Sequence, residues 1–171
     1  GCQMNVYDGD RMQEMMSSHN YDSVNSVEDA DLVILNTCHI REKATEKIYS
    51  ELGRIKKNIS RKKEKTIVAV AGCVAQAEGE ELVKRAPIID LVFGPLTYHH
   101  LPDILQSFEN DNSKKKKAIV DIEPPNEDKF KELPKRLKEN RAISAFLSVQ
   151  EGCDKFCTFC VVPYTRGVET S

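Results

Sequence analysis

No apolar stretch in these 171 residues approaches the roughly 20 that a helix needs to cross a bilayer. The opening residues GCQMNVYDGD have neither the basic start nor the apolar middle of a secretory leader. An excess of one charge is also lacking. Lys and Arg number 25 against 27 Asp and Glu, a formal net charge of −2, which neither announces nor excludes a nucleic-acid partner. No internal repeat shows motif-level identity, and low complexity is limited to the run Lys114–Lys117. These absences predict a cytosolic chain with no membrane anchor. The length suits one good core, or one domain and the beginning of a second. The second arrangement is expected here.

What is present is an alternation of β-rich runs and helical patterns. The run DLVILN (Asp31–Asn36) precedes a helix from about Arg41 to Asn58, with Ala44, Ile48, Leu52, Ile55 and Ile59 on one stripe. TIVAVAG (Thr66–Gly72) precedes a short helix near Gln76–Arg85, and IIDLVFG precedes TYHHLPDILQSF, a helix with Pro102 near its first turn. Strands that are apolar almost throughout, each followed by a helix, predict an α/β domain whose parallel sheet is covered on both faces, as in flavodoxin- or Rossmann-like folds. A helix from about Asp10 to His19 has no strand before it, so a first strand is expected ahead of Gly1. The domain so read covers residues 1–108. Residues 109–141, with the lysine run, a short strand AIVDI and Pro124, Pro125 and Pro134, read as a charged linker. Residues 142–171 read as the start of a second domain, in which the strand AISAFLSVQ delivers a cysteine loop.

Cytosolic thiols stay reduced, so the six cysteines read as metal ligands or reactive groups before they read as disulfides. Cys153, Cys157 and Cys160 form CxxxCxxC within EGCDKFCTFCVVPYTRG, a spacing that lets three sulfurs turn inward on a compact centre. Gly152 permits a tight strand exit before them. Three thiolates leave one coordination position open. Cys2, Cys38 and Cys73 lie 36 and 35 residues apart, about one βα repeat each, and each is placed after a strand. The carboxyl ends of parallel strands share one edge, where such folds hold ligands, so these thiols are expected to converge as well. A single cysteine after a strand is more often a small buried hydrophobe; the common register favours a site. A zinc site completed by a distant His39, His99 or His100 is the plainer alternative for the loop.

The stretches GCQMN, NTCHIREKA, AGCVAQ and QEGCDKFCTFCVVPYTRG together resemble the radical S-adenosylmethionine (SAM) methylthiotransferases, and within them the MiaB branch, the tRNA (dimethylallyl)adenosine methylthiotransferases. The likeness runs from Gly1 to Gly167 and thins in the linker. It implies that Cys153, Cys157 and Cys160 hold a 4Fe-4S cluster whose fourth iron binds SAM, with Phe159 beside the adenine. It implies that Cys2, Cys38 and Cys73 hold an auxiliary 4Fe-4S cluster that carries or supplies sulfur. The implied product is a methylthio group on carbon 2 of the modified adenosine next to the anticodon. A low-potential electron donor is implied as a partner, and the sulfur donor stays open. Family members continue through a radical SAM barrel and a small RNA-binding domain, so these 171 residues are not expected to complete the reaction alone.

Between Arg41 and Lys65 there are ten Lys or Arg against four Glu, 10 − 4 = +6. This basic stretch suits tRNA phosphates, but a solvated helix face explains it better, because aromatic platforms for RNA bases are scarce there. Two enzyme alternatives keep the chemistry and change the substrate, to threonylcarbamoyladenosine in tRNA or to a ribosomal-protein aspartate. A non-catalytic zinc or RNA-binding module is the alternative of another class.

Overall fold

The computed structural model describes residues 2–39, 43–62, 65–110, 117–124, 129–133 and 146–171. Four strands, β1 (Leu32–Thr37), β2 (Ile67–Gly72), β3 (Leu91–Phe93) and β4 (Ile119–Asp121), pair in the order β1-β2-β3-β4. All three ladders are parallel, as the alternation of strands and helices predicts.

The pleat of β2 divides the core. Ile67, Ala69 and Ala71 face one side with Leu91 and Phe93 of β3; Val68 and Val70 face the other with Val92. Helices α1 (Gln3–Ser17) and α5 (Leu101–Asn110) cover the first side through Met12, Met15, Met16, Leu101, Leu105 and Phe108. Helices α2 (Lys43–Ile59), α3 (Cys73–Glu78) and α4 (Glu80–Arg85) cover the second through Ile48, Leu52, Ile55, Val74, Ala75 and Leu82. Every residue of β2 is buried. This explains its unbroken apolar run, since a strand covered on both faces has no solvent side on which to alternate.

The structure corrects several sequence readings. Helix α1 starts at Gln3 rather than near Asp10; its early turns bury Asp8, which is 1% exposed and breaks the apolar pattern. The helix read as Gln76–Arg85 is two short ones, starting at Cys73 and turning at Gly79. TYHH opens α5 as a 3-10 turn, Tyr98–His100. The short strand read at AIVDI does form, as β4; it pairs with β3 and is tied to the preceding loop, where Thr97 Oγ1 donates to the Asp121 carbonyl at 2.6 Å. His100 Nδ1 meets the Asp121 carboxylate at 2.8 Å. One turn of helix, α6 (Lys129–Glu132), also forms in that stretch.

The strand expected over AISAFLSVQ is not seen at residues 146–150, while 142–145 lie outside the described residues. Leu147 and Val149 are 83% and 74% exposed. No strand among the described residues runs beside 146–150 to share a ladder, and an unpaired extended segment has nothing to offset its ordering entropy. Beyond it, Glu151 and Thr170 form an antiparallel bridge, and helix α7 spans Val162–Arg166.

Candidate metal centre

Three thiols reach one cavity from separate elements. Cys2 immediately precedes α1, Cys38 immediately follows β1, and Cys73 opens α3 directly after β2. With His39 and part of the segment 150–166, they line a cavity of about 410 Å3. The register explains the approach of Cys38 and Cys73, because Thr37 and Gly72 are partners at the end of the β1–β2 ladder. Thr37 Oγ1 donates to the Ala71 carbonyl at 2.5 Å and secures that rung. Gly72 turns strand into helix at φ 89°, and a Cβ there would lie 2.3 Å from the Thr37 carbonyl oxygen.

Cys2 is brought in by a pair of asparagines. Asn5 Nδ2 donates to Asn36 Oδ1 at 2.7 Å and to the Thr37 carbonyl at 3.2 Å, and Asn36 Nδ2 donates back to the Asn5 carbonyl at 2.7 Å. The first turn of α1 is thereby fastened to the end of β1. Both residues belong to motifs quoted above, GCQMN and NTC, yet nothing in the sequence pairs them.

The roof of the cavity is the carboxyl-terminal cysteine segment, through Gln150, Glu151, Gly152, Val161, Thr165 and Arg166. Glu151 and Thr170 exchange two backbone hydrogen bonds, at 2.9 and 2.8 Å, and the Cys153 N–H donates to the Gly167 carbonyl at 3.1 Å. Gly152 has φ 76°, and a Cβ there would fall 2.0 Å from the Val168 carbonyl oxygen. The segment therefore folds back on itself between Gly152 and Thr170. Arg166 Nη2 donates to Asp8 Oδ2 and its Nη1 to Glu151 Oε1, both at 2.5 Å.

These neighbours set the electrostatics. Burial pushes the Cys73 thiol up; the Arg166 guanidinium and donors on Thr165 and Arg166 pull against it, and Cys38 adds to the rise. Burial works against the Arg166 charge, but Asp8 foremost, with Cys73 and Glu151, holds its pKa above the ordinary guanidinium value.

Cys153, Cys157 and Cys160 do not line this cavity. They sit on the outer turns of the same segment, Cys157 exposed and the other two partly buried. The Cys160 N–H donates to the Cys157 carbonyl at 2.9 Å, which curls the loop. Phe156, at φ 40°, sets its ring edge-on to Tyr164 with centroids 5.9 Å apart. Phe159 is 99% exposed. Of the candidate histidines, His39 joins the amino-terminal cysteines, and its Nδ1 is buried without a partner; His100 is engaged by Asp121.

Among the described residues, no three His, Cys, Asp or Glu side chains are gathered to hold a single metal ion. A four-iron cube is held differently, one thiolate to each iron corner, so its ligands need not converge on a point. The donor chemistry of both sets fits that group: three soft sulfurs each. In the cavity the nearby carboxylate of Glu151 is already committed to Arg166. Sequence reasoning did not find the roles of Asp8, Glu151 and Arg166; Asp8 and Arg166 are partners 158 residues apart.

Residues 1–94 match the model of a family described as Uncharacterized protein family UPF0004. The tRNA-2-methylthio-N(6)-dimethylallyladenosine synthases of Bartonella henselae and Bartonella quintana are 57% and 56% identical over 179 and 176 aligned residues, taking in 100% of this chain and 37% of each relative. The synthase of the same name from Ruegeria pomeroyi is 56% identical over 171 residues, 100% of this chain and 38% of the relative. The chain thus spans a little over a third of the length of these curated relatives. By the match over residues 1–94, more than half of its length, the chain belongs to the Uncharacterized protein family UPF0004, and its likeness to MiaB-type enzymes extends over all of it.

Proposed function

We propose that this chain is part of a tRNA methylthiotransferase of the radical SAM class that modifies carbon 2 of dimethylallyl-adenosine next to the anticodon. The observation that carries the reading is the convergence of Cys2, Cys38 and Cys73 on one cavity, roofed by the segment that bears CxxxCxxC. The names of the relatives support tRNA as the substrate class and the dimethylallyl-modified base over threonylcarbamoyladenosine or a protein aspartate. In this reading residues 1–108 form the α/β methylthiotransferase unit, 109–141 the connection, and 142–171 the beginning of the radical SAM barrel.

Cys153, Cys157 and Cys160 would hold the 4Fe-4S cluster that binds SAM, with Phe159 beside the adenine, and Cys2, Cys38 and Cys73 the auxiliary cluster. When bound, the first group supplies the electron that cleaves SAM and the second supplies sulfur. The chain's own residues do the positioning. The β1–β2 register sets Cys38 beside Cys73, the asparagine pair brings Cys2 to them, and the roof keeps water from the buried Cys73. The exposed loop leaves Phe159 and Cys157 open to a ligand from the outer side. An electron donor of low potential and a sulfur donor complete the set of partners. Among the described residues no helix is long and apolar enough to cross a membrane; a tRNA substrate supports a cytoplasmic location.

Iron and acid-labile sulfide assays on anaerobically purified protein test the reading. The expected result is iron and sulfide in equal amounts, enough for two four-iron clusters. Zinc without sulfide would refute it and favour a structural module.

A further inference from the structure

The guanidinium of Arg166 is shared between an acid of its own segment and one from the other end of the chain. Glu151 lies 15 residues earlier and Asp8 lies 158 residues earlier. The side chains of Arg166, Asp8 and Glu151 are 5%, 2% and 3% exposed. A buried ion set of this kind is weak evidence for overall stability, because apolar replacement of the whole set often serves as well; removing one member, however, strands a charge out of water. The two arms differ in what they join. The Glu151 arm stays within the segment and reinforces its backbone bridge to Thr170. The Asp8 arm crosses to α1, the helix that begins directly after Cys2. Arg166 and Thr165 also line the cavity together with Cys73.

We propose that Arg166 is a positioning residue that docks the Gln150–Arg166 segment over Cys2, Cys38 and Cys73, its two ends forming the roof, with its bond to Asp8 setting where the outer Cys153, Cys157 and Cys160 lie relative to that cavity. The docking is a property of the chain itself; its consequence for iron rests on the function proposed above. Cutting the Asp8 arm lifts the roof while the segment keeps its internal fold. Exchanging Glu151 for its amide keeps an acceptor and leaves the cross-tie in place.

The test is timed alkylation of the reduced, metal-free chain with N-ethylmaleimide, read cysteine by cysteine by mass spectrometry, with exposed Cys157 as the internal reference. In the unaltered protein Cys73 reacts far more slowly than Cys157. Asp8→Ala and Arg166→Leu raise the Cys73-to-Cys157 ratio at least about tenfold, and Glu151→Gln by less than about threefold. Arg166→Lys keeps the charge without the two-armed fork and restores part of the protection lost in Arg166→Leu. Asp8→Asn, nearly isosteric, shifts the ratio the same way even if Arg166→Leu does not fold. Phe108→Ala, in the core on the sheet face that α3 does not cover, lowers stability without moving the ratio.

An unchanged ratio in Asp8→Ala and Asp8→Asn overturns the proposal. So does an equal rise in Phe108→Ala, which would make the ratio a measure of global stability. A second arm replaces Cys153, Cys157 and Cys160 by Ala, so that only the amino-terminal set can take up iron and sulfide. In that background Asp8→Ala is expected to lose its iron–sulfur absorption to EDTA faster than the protein with Asp8 intact. Failure to load iron with Asp8 intact counts against the proposed function, and the alkylation ratios then decide the docking by themselves.

Discussion

Thr37 and Gly72 face each other on the last rung of the β1–β2 ladder, and the residue after each is a cysteine. One register thus places Cys38 and Cys73 side by side, and Gly72 lets the second of them open a helix within a single residue. Gly72→Ala is expected to destabilise the protein by about 1–3 kcal/mol, from a non-glycine residue forced to positive φ and from the 2.3 Å approach to the Thr37 oxygen. A urea titration of the two proteins measures it. An unaltered midpoint would show that the strand end yields easily.

Asn36 holds the first turn of α1 through its amide and its carbonyl. Asn36→Ala removes both bonds and strands the Asn5 groups, at a cost of about 1–3 kcal/mol. The loss should be local. Hydrogen exchange is expected to rise at residues 3–7 and to stay unchanged across β2 and β3, which a global loss of stability would not reproduce.

Tyr98 sets the response to alkali. Burial first, then Asp8, Tyr7 and Glu151, push its phenol well above the ordinary 10.0. The folded state therefore keeps a proton that the unfolded state releases. Stability is fully present below pH 10 and falls above it, by up to about 1.4 kcal/mol per pH unit for one group. Tyr98→Phe is expected to flatten the decline between pH 9.5 and 11 in denaturant titrations. An identical slope in both proteins would assign the alkaline loss to other groups.

On the proposed function, the two cysteine sets should fail separately in the full-length protein. Cys157→Ala is then expected to abolish SAM cleavage, because it removes a ligand from the proposed SAM-binding cluster. Cys73→Ala is expected to spare much of that cleavage and prevent methylthiolation. Iron counts must show that the other cluster survives each change. Normal methylthio-adenosine yields from Cys73→Ala would leave the cavity thiols a structural role.

Strands β1 to β3 and the buried stripe of α2 are legible in the sequence because their signal is local, with side chains repeating at the period of the element that buries them. The adjacency of Cys38 and Cys73 is legible for a related reason. One βα repeat returns the chain to the same sheet edge, so equal spacing in sequence becomes proximity in space. These two regularities determine an α/β domain with thiols along one edge.

The remainder was decided by contacts that sequence spacing does not encode. α1 reaches back to Gln3 although its early turns bury a charged residue, and AIVDI, legible as a short strand, takes its place in the sheet from the edge that β3 offers. Residues 146–150 carry apolar side chains yet stay outside any ladder, since no strand lies beside them among the described residues. The Asp8–Arg166 pair is the clearest case. An aspartate in a helix and an arginine before a glycine are ordinary surface signals, and 158 residues separate them. Only the folded chain buries both, and burial turns two unremarkable charges into a bond that neither can lose cheaply.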